Sequence, residues 1–378
     1  MMKTTKNTKE LYITEIPSDW VVKKLGEISV IKTGDKDTQN KVEDGLYPFF
    51  VRSDNVERIN SFSYDGEAIL TSGDGVGVGN NFHYIIGKFD FHQRVYSIRK
   101  FNSETFGKFI YYYFSEKFYE RVIKLSAKNS VDSVRMEMIF DMKIPLPPLP
   151  EQIAIAQVLS TADAAIHTSE KLIVQKELRK KWLMQQLLTG KKRLKGFEGK
   201  WKEKQLKKLC KISKGEQLNK IELVKTGTYP SYSGGITPSG YTDDWNTHEN
   251  TIIISEGGNS CGYVNFITTK FWCGGHCYAL LDLNQTIKRD FLYQFLKFNE
   301  LQIMKLRVGS GLPNVQKGDV ENFCVKHPSF EEQTAIAQVL QAADKEISLL
   351  KAKAEKLREQ KRGLMQVLLT GKVRLKIN

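Results

Sequence analysis

Residues 151–195 read EQIAIAQVLSTADAAIHTSEKLIVQKELRKKWLMQQLLTGKKRLK, and residues 332–376 read EQTAIAQVLQAADKEISLLKAKAEKLREQKRGLMQVLLTGKVRLK. The second stretch is the first displaced by 181 residues, aligned without a gap and identical at about half of its positions. A repeat this long implies a duplicated structural unit, so it decides the fold reading. Outward from it, the same displacement carries Trp20 onto Trp201, Leu25 onto Leu206, Ile31 onto Ile212 and Gly34 onto Gly215. Each copy therefore has a matching entrance and exit. Between those ends, residues 36–142 and 216–323 share little beyond a Tyr-Pro step, Tyr47-Pro48 and Tyr229-Pro230. The order is variable, shared, variable, shared.

The shared segments have helical spacing. Ile336, Leu340, Ala343, Ile347, Leu350, Ala354, Leu357, Lys361, Leu364 and Leu368 step alternately by four and three, the pattern of a coiled-coil seam broken only at Lys361. The first copy carries Ile155, Leu159, Ala162, Ile166, Ser169, Ile173, Lys176, Lys180, Leu183 and Leu187, with three polar members. A helix with so imperfect a seam needs a partner. Prolines (Pro145, Pro147, Pro148 and Pro150; then Pro328) precede each helix, and a Thr-Gly pair, Thr189-Gly190 or Thr370-Gly371, closes it. Each rod of roughly 38 residues should be about 57 Å long at 1.5 Å per residue.

The variable segments read as mixed α/β. Runs at 68–70, 84–86, 251–254 and 278–281 are rich in apolar, β-branched and aromatic residues and separated by Gly, Asn and Asp clusters, which predicts short strands with tight turns. A helix dense in aromatic residues follows in each, over 106–124 and 290–306. Those aromatic residues are expected to be core rather than base-stacking platforms. The fold class is thus α+β, with a variable domain at 1–150, a helix at 151–190, a second variable domain at 191–330 and a second helix at 331–378.

Composition narrows the function. The 378 residues carry 57 Lys and Arg against 43 Asp and Glu, a formal net charge of +14. That excess suits a polyanionic partner, nucleic acid foremost, because phosphate contacts release counterions. No apolar run reaches the roughly 18 to 20 residues of a membrane-spanning helix. The polar, lysine-rich first ten residues show no secretory signal, so a cytoplasmic location is expected. The five cysteines are an odd number confined to the second half and are expected to be reduced.

Catalytic motifs are missing. The run Gly73-Asp74-Gly75-Val76-Gly77-Val78-Gly79 fits neither the dinucleotide fingerprint nor the Walker loop, and reads as a turn where backbone can approach a ligand closely. The loop 255–260 of the second copy has the same character. Cys261, Cys273, His276 and Cys277 are zinc-ligand types without a CxxC pair, so buried thiols and no metal site are expected. The only Pro-Pro pair, Pro147-Pro148, follows Leu146, so the Asn/Asp-Pro-Pro-aromatic motif of adenine methyltransferases is missing too.

The duplicated signatures Glu151-Gln152-Ile153-Ala154-Ile155-Ala156 and Glu332-Gln333-Thr334-Ala335-Ile336-Ala337 carry a resemblance. So do 183–190 (LMQQLLTG), 364–371 (LMQVLLTG) and the Trp20 and Trp201 openings. Together they resemble the specificity subunit of type I restriction-modification systems over nearly the whole chain. The resemblance implies two target recognition domains, each reading half of a split asymmetric DNA site, held apart by an antiparallel coiled coil of the two helices with pseudo-two-fold symmetry. It implies that two modification subunits dock on this chain and methylate adenine N6 with S-adenosylmethionine, and that restriction subunits join them to translocate and cut DNA. S-adenosylmethionine, ATP and Mg are then cofactors of the partners; this chain binds none and has no catalytic residue.

On that reading, loop and rim residues of types that contact bases and phosphates are candidates. In the first domain they are Arg52, Ser72, Asp74, Arg94, Lys128, Asn129, Ser130 and Arg135; in the second, Tyr232, Ser233, Asn259, His276, Ser310, Asn314 and Lys317. The basic run 191–208, including Lys191 and Arg193, is a phosphate-contact candidate or a solvated linker. Helix packing is expected from Ile155, Leu159, Ile166, Ile173, Leu183, Leu187, Ile336, Leu340, Ile347, Leu350, Leu357, Leu364 and Leu368. The competing reading from another class is a duplicated coiled-coil adaptor joining two protein partners.

Overall fold

A computed structural model describes residues 16–75, 77–126, 133–219, 223–309, 311 and 313–376. They fall into two compact units: residues up to Ser169 together with those from Lys353 onward, and Glu170–Ala352.

In the first unit, β1 (Val21–Lys24) leads into a short helix α1 (Leu25–Ile28), then β2 (Val30–Thr33), β3 (Tyr47–Phe50), β4 (Val56–Ile59), β5 (Tyr64–Ser72), β6 (Phe82–Phe91) and β7 (Val95–Arg99). The sheet has the order β2-β7-β5-β6-β3-β4, antiparallel except for β3 beside β6. Ala68–Ser72 of central β5 are all buried, Ile69 in the core with α2 and Ala68 and Leu70 in the cluster of Phe50, Phe89, Phe91 and Val95, so the run 68–70 is apolar without alternation. Helix α2 (Gly107–Leu125) covers one face with Phe109, Ile110, Tyr112, Tyr113, Phe114, Phe118 and Val122, all buried, packed with Ile69 and Ile98 of the sheet. Its aromatic residues are core. Helix α3 (Met136–Phe140) and β8 (Lys143–Leu146) follow, and β8 pairs with β1. Helix α4 (Leu149–Leu187) begins at the proline cluster.

The second unit repeats the plan with different side chains. β9 (Lys202–Gln205), β10 (Lys211–Lys214), β11 (Tyr229–Tyr232), β12 (Gly240–Thr242), β13 (Thr251–Ser255), β14 (Val264–Ile267), β15 (Trp272–Cys273) and β16 (Cys277–Leu281) precede helices α5 (Arg289–Phe298), α6 (Glu300–Met304) and α7 (Lys317–Asn322). β17 (Cys324–His327) pairs with β9, and helix α8 (Phe330–Leu368) follows. One sheet has the order β10-β16-β13-β14, matching β2-β7-β5-β6; the other, β12-β11-β15, matches β4-β3-β6. The long β6 of the first unit is thus replaced by two separate strands, β14 and β15. Both Tyr-Pro steps open the equivalent strands β3 and β11.

The helix expected over 290–306 is broken at Asn299. Its backbone N–H caps α5, its Nδ2 donates to the Phe295 carbonyl at 2.8 Å, and Glu300 is drawn aside to accept from Val264 N–H at 2.8 Å and Lys297 Nζ at 2.6 Å. The Asn299 backbone leaves helical geometry at φ −95° and ψ 11°, although its N–H still reaches the Phe295 carbonyl at 3.1 Å and shares that acceptor with Nδ2.

Both long helices run 39 residues, and all the seam residues named above are buried or half-buried. In the first unit Ile155 and Leu159 of α4 share a core with Met365 and Leu368 of α8 and with Leu369 just beyond it; in the second, Leu187 of α4 and Leu188 share one with Ile336, Ala337 and Leu340 of α8. The lysine seam positions are ion-paired. Lys361 meets Asp163 at 2.6 Å, and its counterpart 181 residues earlier, Lys180, meets Asp344 at 2.5 Å; Lys176 pairs with Glu346. Within each unit the partner numbers fall on one helix as they rise on the other, so the segments run in opposite directions. Ser169 is buried and satisfied by the Ala165 carbonyl at 2.8 Å.

Candidate nucleic-acid interface

The repeated signature residues build the frame. Glu151 is buried, accepts from Trp20 Nε1 at 3.3 Å and receives Arg374 through Nε at 2.6 Å and Nη2 at 2.7 Å, while Arg374 also grips Asp19. In the second unit Arg193 clamps the buried Glu332 through Nε and Nη2, and donates to the carbonyls of Gly199 and Glu198. Neighbouring Gln152 accepts from Phe106 N–H at 2.8 Å and donates to the carbonyls of Glu104 and Pro147, both at 2.9 Å. Gln333 does the same for Lys288 N–H, Thr286 and Pro328. Each glutamine ties the start of an aromatic helix to the start of a long one. Gly34 and Gly215 are also structural: an added Cβ would lie 1.9 Å from the Phe91 carbonyl oxygen and 2.4 Å from that of Cys273. The variable tips of the two units are left to carry a site.

In the first unit the tip gathers at one end of β5 and β7. Ser72 pairs with Val95 across the strands, and beyond them Gly73 N–H donates to the Arg94 carbonyl at 2.7 Å. Arg52 Nη1 donates to Asp74 Oδ1 at 3.1 Å, and Arg94 Nε lies 3.8 Å from Oδ2. Buried His92 accepts the Arg94 N–H on Nδ1 at 2.9 Å and approaches Asp37 through Nε2. Burial, and then Arg52, hold its imidazole below the ordinary pKa against the pull of Asp37. A cleft of about 440 Å³ beside this cluster is lined by Asp74, Gln93, Arg94, Tyr96 and Arg135 among others. Four of the sequence candidates, Arg52, Asp74, Arg94 and Arg135, thus come together. Ser72 is buried beneath them, with no hydrogen-bond partner for its hydroxyl among the described residues. Lys128, Asn129 and Ser130 lie outside the described residues.

The second unit has a related tip. Ser255 pairs with Cys277, and beyond them Glu256 N–H donates to the His276 carbonyl at 2.8 Å, the counterpart of the Gly73–Arg94 bond. Glu256 accepts from Lys214 Nζ at 2.7 Å and Tyr278 Oη at 2.8 Å, with His276 Nδ1 at 3.7 Å. Although burial pushes its carboxyl upward, Lys214 and Tyr278 hold it below the usual glutamate range. Ser233 and His276 line a cleft of about 270 Å³. Gly257 bridges Asn314, and exposed Asn259 lies in the same loop, beside Gly258, whose N–H donates to the Pro313 carbonyl. Tyr232 is half-buried against Phe271, and Lys317 begins α7, 3.5 Å from Glu321. Ser310 lies outside the described residues.

Lys191 is exposed, whereas Arg193 is engaged with Glu332. Sequence reading marked the loop 255–260 without singling out Glu256, and missed Lys214, Tyr278 and His92. Each owes its place to strand pairing across tens of residues, and no local pattern marks it. Cys261 packs in one core cluster and Cys273 and Cys277 in another, with Cys277 Sγ accepting from Gly234 N–H. Burial pushes the Cys210 thiol up to about 12 and the Cys277 thiol up to about 11. Among the described residues no group of three His, Cys, Asp or Glu is placed to hold a metal ion, and no helix is long and apolar enough to cross a membrane.

Comparison with known proteins follows the repeat. The family model described as the type I restriction modification DNA specificity domain matches twice, over residues 17–176 and 198–359. Across 98% of its length the chain is 25% identical to the type I restriction enzyme MjaVIII specificity subunit of Methanocaldococcus jannaschii, covering 96% of it. It is 29% identical to the type I restriction enzyme EcoDI specificity subunit of Escherichia coli over 43% of this chain and 35% of that one. The crystal structure of a type I restriction-modification system S subunit from M. genitalium superposes with a TM-score of 0.72 at 20% identity, covering 100% of this chain and 99% of that chain.

Proposed function

Because this chain belongs to the family of type I restriction-modification DNA specificity subunits, we propose that it reads a bipartite, asymmetric DNA site, one half with each variable domain. The observation that carries this reading is a repeated frame with unlike tips. The same glutamine, glutamate and arginine contacts recur 181 residues apart, the strand order recurs, and yet Arg94 stands where the other unit has His276. A protein that reads two different half-sites needs this combination, since groove geometry is shared and base edges are not.

In the proposed assembly α4 and α8 form an antiparallel coiled coil with pseudo-two-fold symmetry, so the two domains face one duplex in opposite senses and rod length sets the gap between half-sites. Two modification subunits dock on the helices and methylate adenine N6. S-adenosylmethionine belongs to them, and ATP and Mg to the restriction subunits, while this chain supplies sequence reading and no catalysis. The place of action is the cytoplasm, where the DNA is. Arg52, Asp74, Arg94 and Arg135 in the first domain, and Ser233, Asn259, His276 and Asn314 in the second, are the proposed contacts near bases, with Lys191 on phosphate.

The test is an exchange. Residues 36–142 are replaced by the corresponding segment of another family member, and the adenine methylation motif of cells carrying the full complex is mapped. One half of the motif should change, with the gap and the other half kept. A change in both halves, or a complex that marks no split motif, would contradict the reading.

A further inference from the structure

Asp74 holds two guanidinium groups at once, and they are not equivalent. Arg52 donates through Nη1. Arg94 approaches with Nε, at 3.8 Å from Oδ2, and its side chain is 66% exposed against 28% for Asp74. That contact is an ion pair without a hydrogen bond, and the Nη1 and Nη2 edge of Arg94 has no hydrogen-bond partner among the described residues. That edge is a pair of parallel donors whose spacing matches two acceptors on one base, O6 and N7 of guanine in the major groove, the commonest specific contact of arginine with DNA.

The main chain of Arg94 is pinned on both sides. Its N–H is held by His92 Nδ1 at 2.9 Å and its carbonyl by Gly73 N–H at 2.7 Å. A side chain launched from a fixed backbone beside a carboxylate loses less freedom on binding than one carried on an untethered loop. In the second unit the same strand position carries His276, whose ring has no such pair of parallel donors. We infer that Arg94 reads a guanine in the half-site of the first domain, with Asp74 as its positioning residue. The inference rests on the reading of this chain as a DNA specificity subunit and names the base chemistry of one of its two sites.

The experiment uses the full chain in complex with its modification subunits. The motif is first mapped for the wild type, and the half belonging to the first domain is the one that follows residues 36–142. Binding is then measured at low salt, where weakened complexes stay measurable, to duplexes carrying each of the four base pairs at every position of that half. Arg94→Gln should lose about tenfold to a hundredfold in affinity for the cognate duplex and cease to discriminate at one G·C pair, all other positions keeping their preference. Arg94→Lys keeps the charge but not the paired donors; it should lose the same discrimination with a smaller fall in affinity, and it decides the matter should Arg94→Gln melt early. Asp74→Asn should weaken the guanine preference while affinity for non-cognate duplex holds or rises, because the tip becomes more positive; a purely structural role would lower both. A first-domain half without a G·C pair overturns the inference, as does an unchanged preference in both Arg94 variants or an equal loss at every position, the mark of a phosphate contact. A wild-type complex that reads no split motif would instead fail the functional reading itself.

Discussion

A single carboxamide shows how much of this molecule hangs on residues that touch nothing outside it. Gln152 is buried and uses its oxygen for Phe106 N–H and its nitrogen for two carbonyls, from Glu104 and Pro147. No other side chain of that size offers both a donor pair and an acceptor. Gln152→Ala takes the partner from three backbone groups, one of them, the Pro147 carbonyl, in buried surroundings and two part-buried, and should destabilise the first unit by about 2 kcal/mol, seen as a lower urea midpoint by tryptophan emission. Gln333→Ala should do the same to the second unit. The Glu-Gln pair is plain in the sequence as a repeated motif. Its role is not, because what it holds lies some 46 residues away along the chain and is brought near only by the packing of α2 against the sheet.

At the scale of elements, the lysines that spoil the helical seam become intelligible. A lysine at a seam position weakens an apolar interface unless a partner helix offers an acid, and Asp163 and Asp344 do so at positions related by the repeat. Such pairs fix which turn faces which, more than they add stability. Asp163 also accepts from the hydroxyl of buried Tyr112 at 2.7 Å, so Asp163→Ala should cost about 2 kcal/mol, the partly exposed ion pair supplying no more than about 1 of it. The exchange of charges, Asp163→Lys with Lys361→Asp, restores the ion pair but not the acceptor of the Tyr112 hydroxyl and should recover only part of that, and a double-mutant cycle on thermal unfolding measures the coupling. The broken helix at Asn299 and the division of β6 into β14 and β15 in the second unit are of another kind. There one asparagine turned out of helical backbone geometry, or a few residues between two strands, interrupts what periodicity alone would assign to a continuous element.

On the proposed function, the heads and the helices of the whole molecule have separable duties. If α4 and α8 act as the ruler proposed above, matching heptads inserted in both should lengthen the gap of the methylation motif and leave the bases of both halves unchanged, which methylation mapping of cells carrying the variant would reveal. Insertion in one helix alone would set Lys361 and Lys180 against the wrong turns. The amino-acid sequence by itself determined the duplication, the two long helices with their proline starts and glycine stops, the mixed α/β heads and the family, since each is written in local spacing or in a motif repeated without gaps. The tertiary structure alone decided which polar residues meet: that Arg193 closes the frame on Glu332, that Arg52 and Arg94 share Asp74, and that Lys214 and Tyr278 hold Glu256. The first arises where the segment after α4 meets the first turn of α8, the others where strand ends distant in the chain are joined by sheet pairing, and side chains converging from separate elements leave no period in the sequence by which to be found.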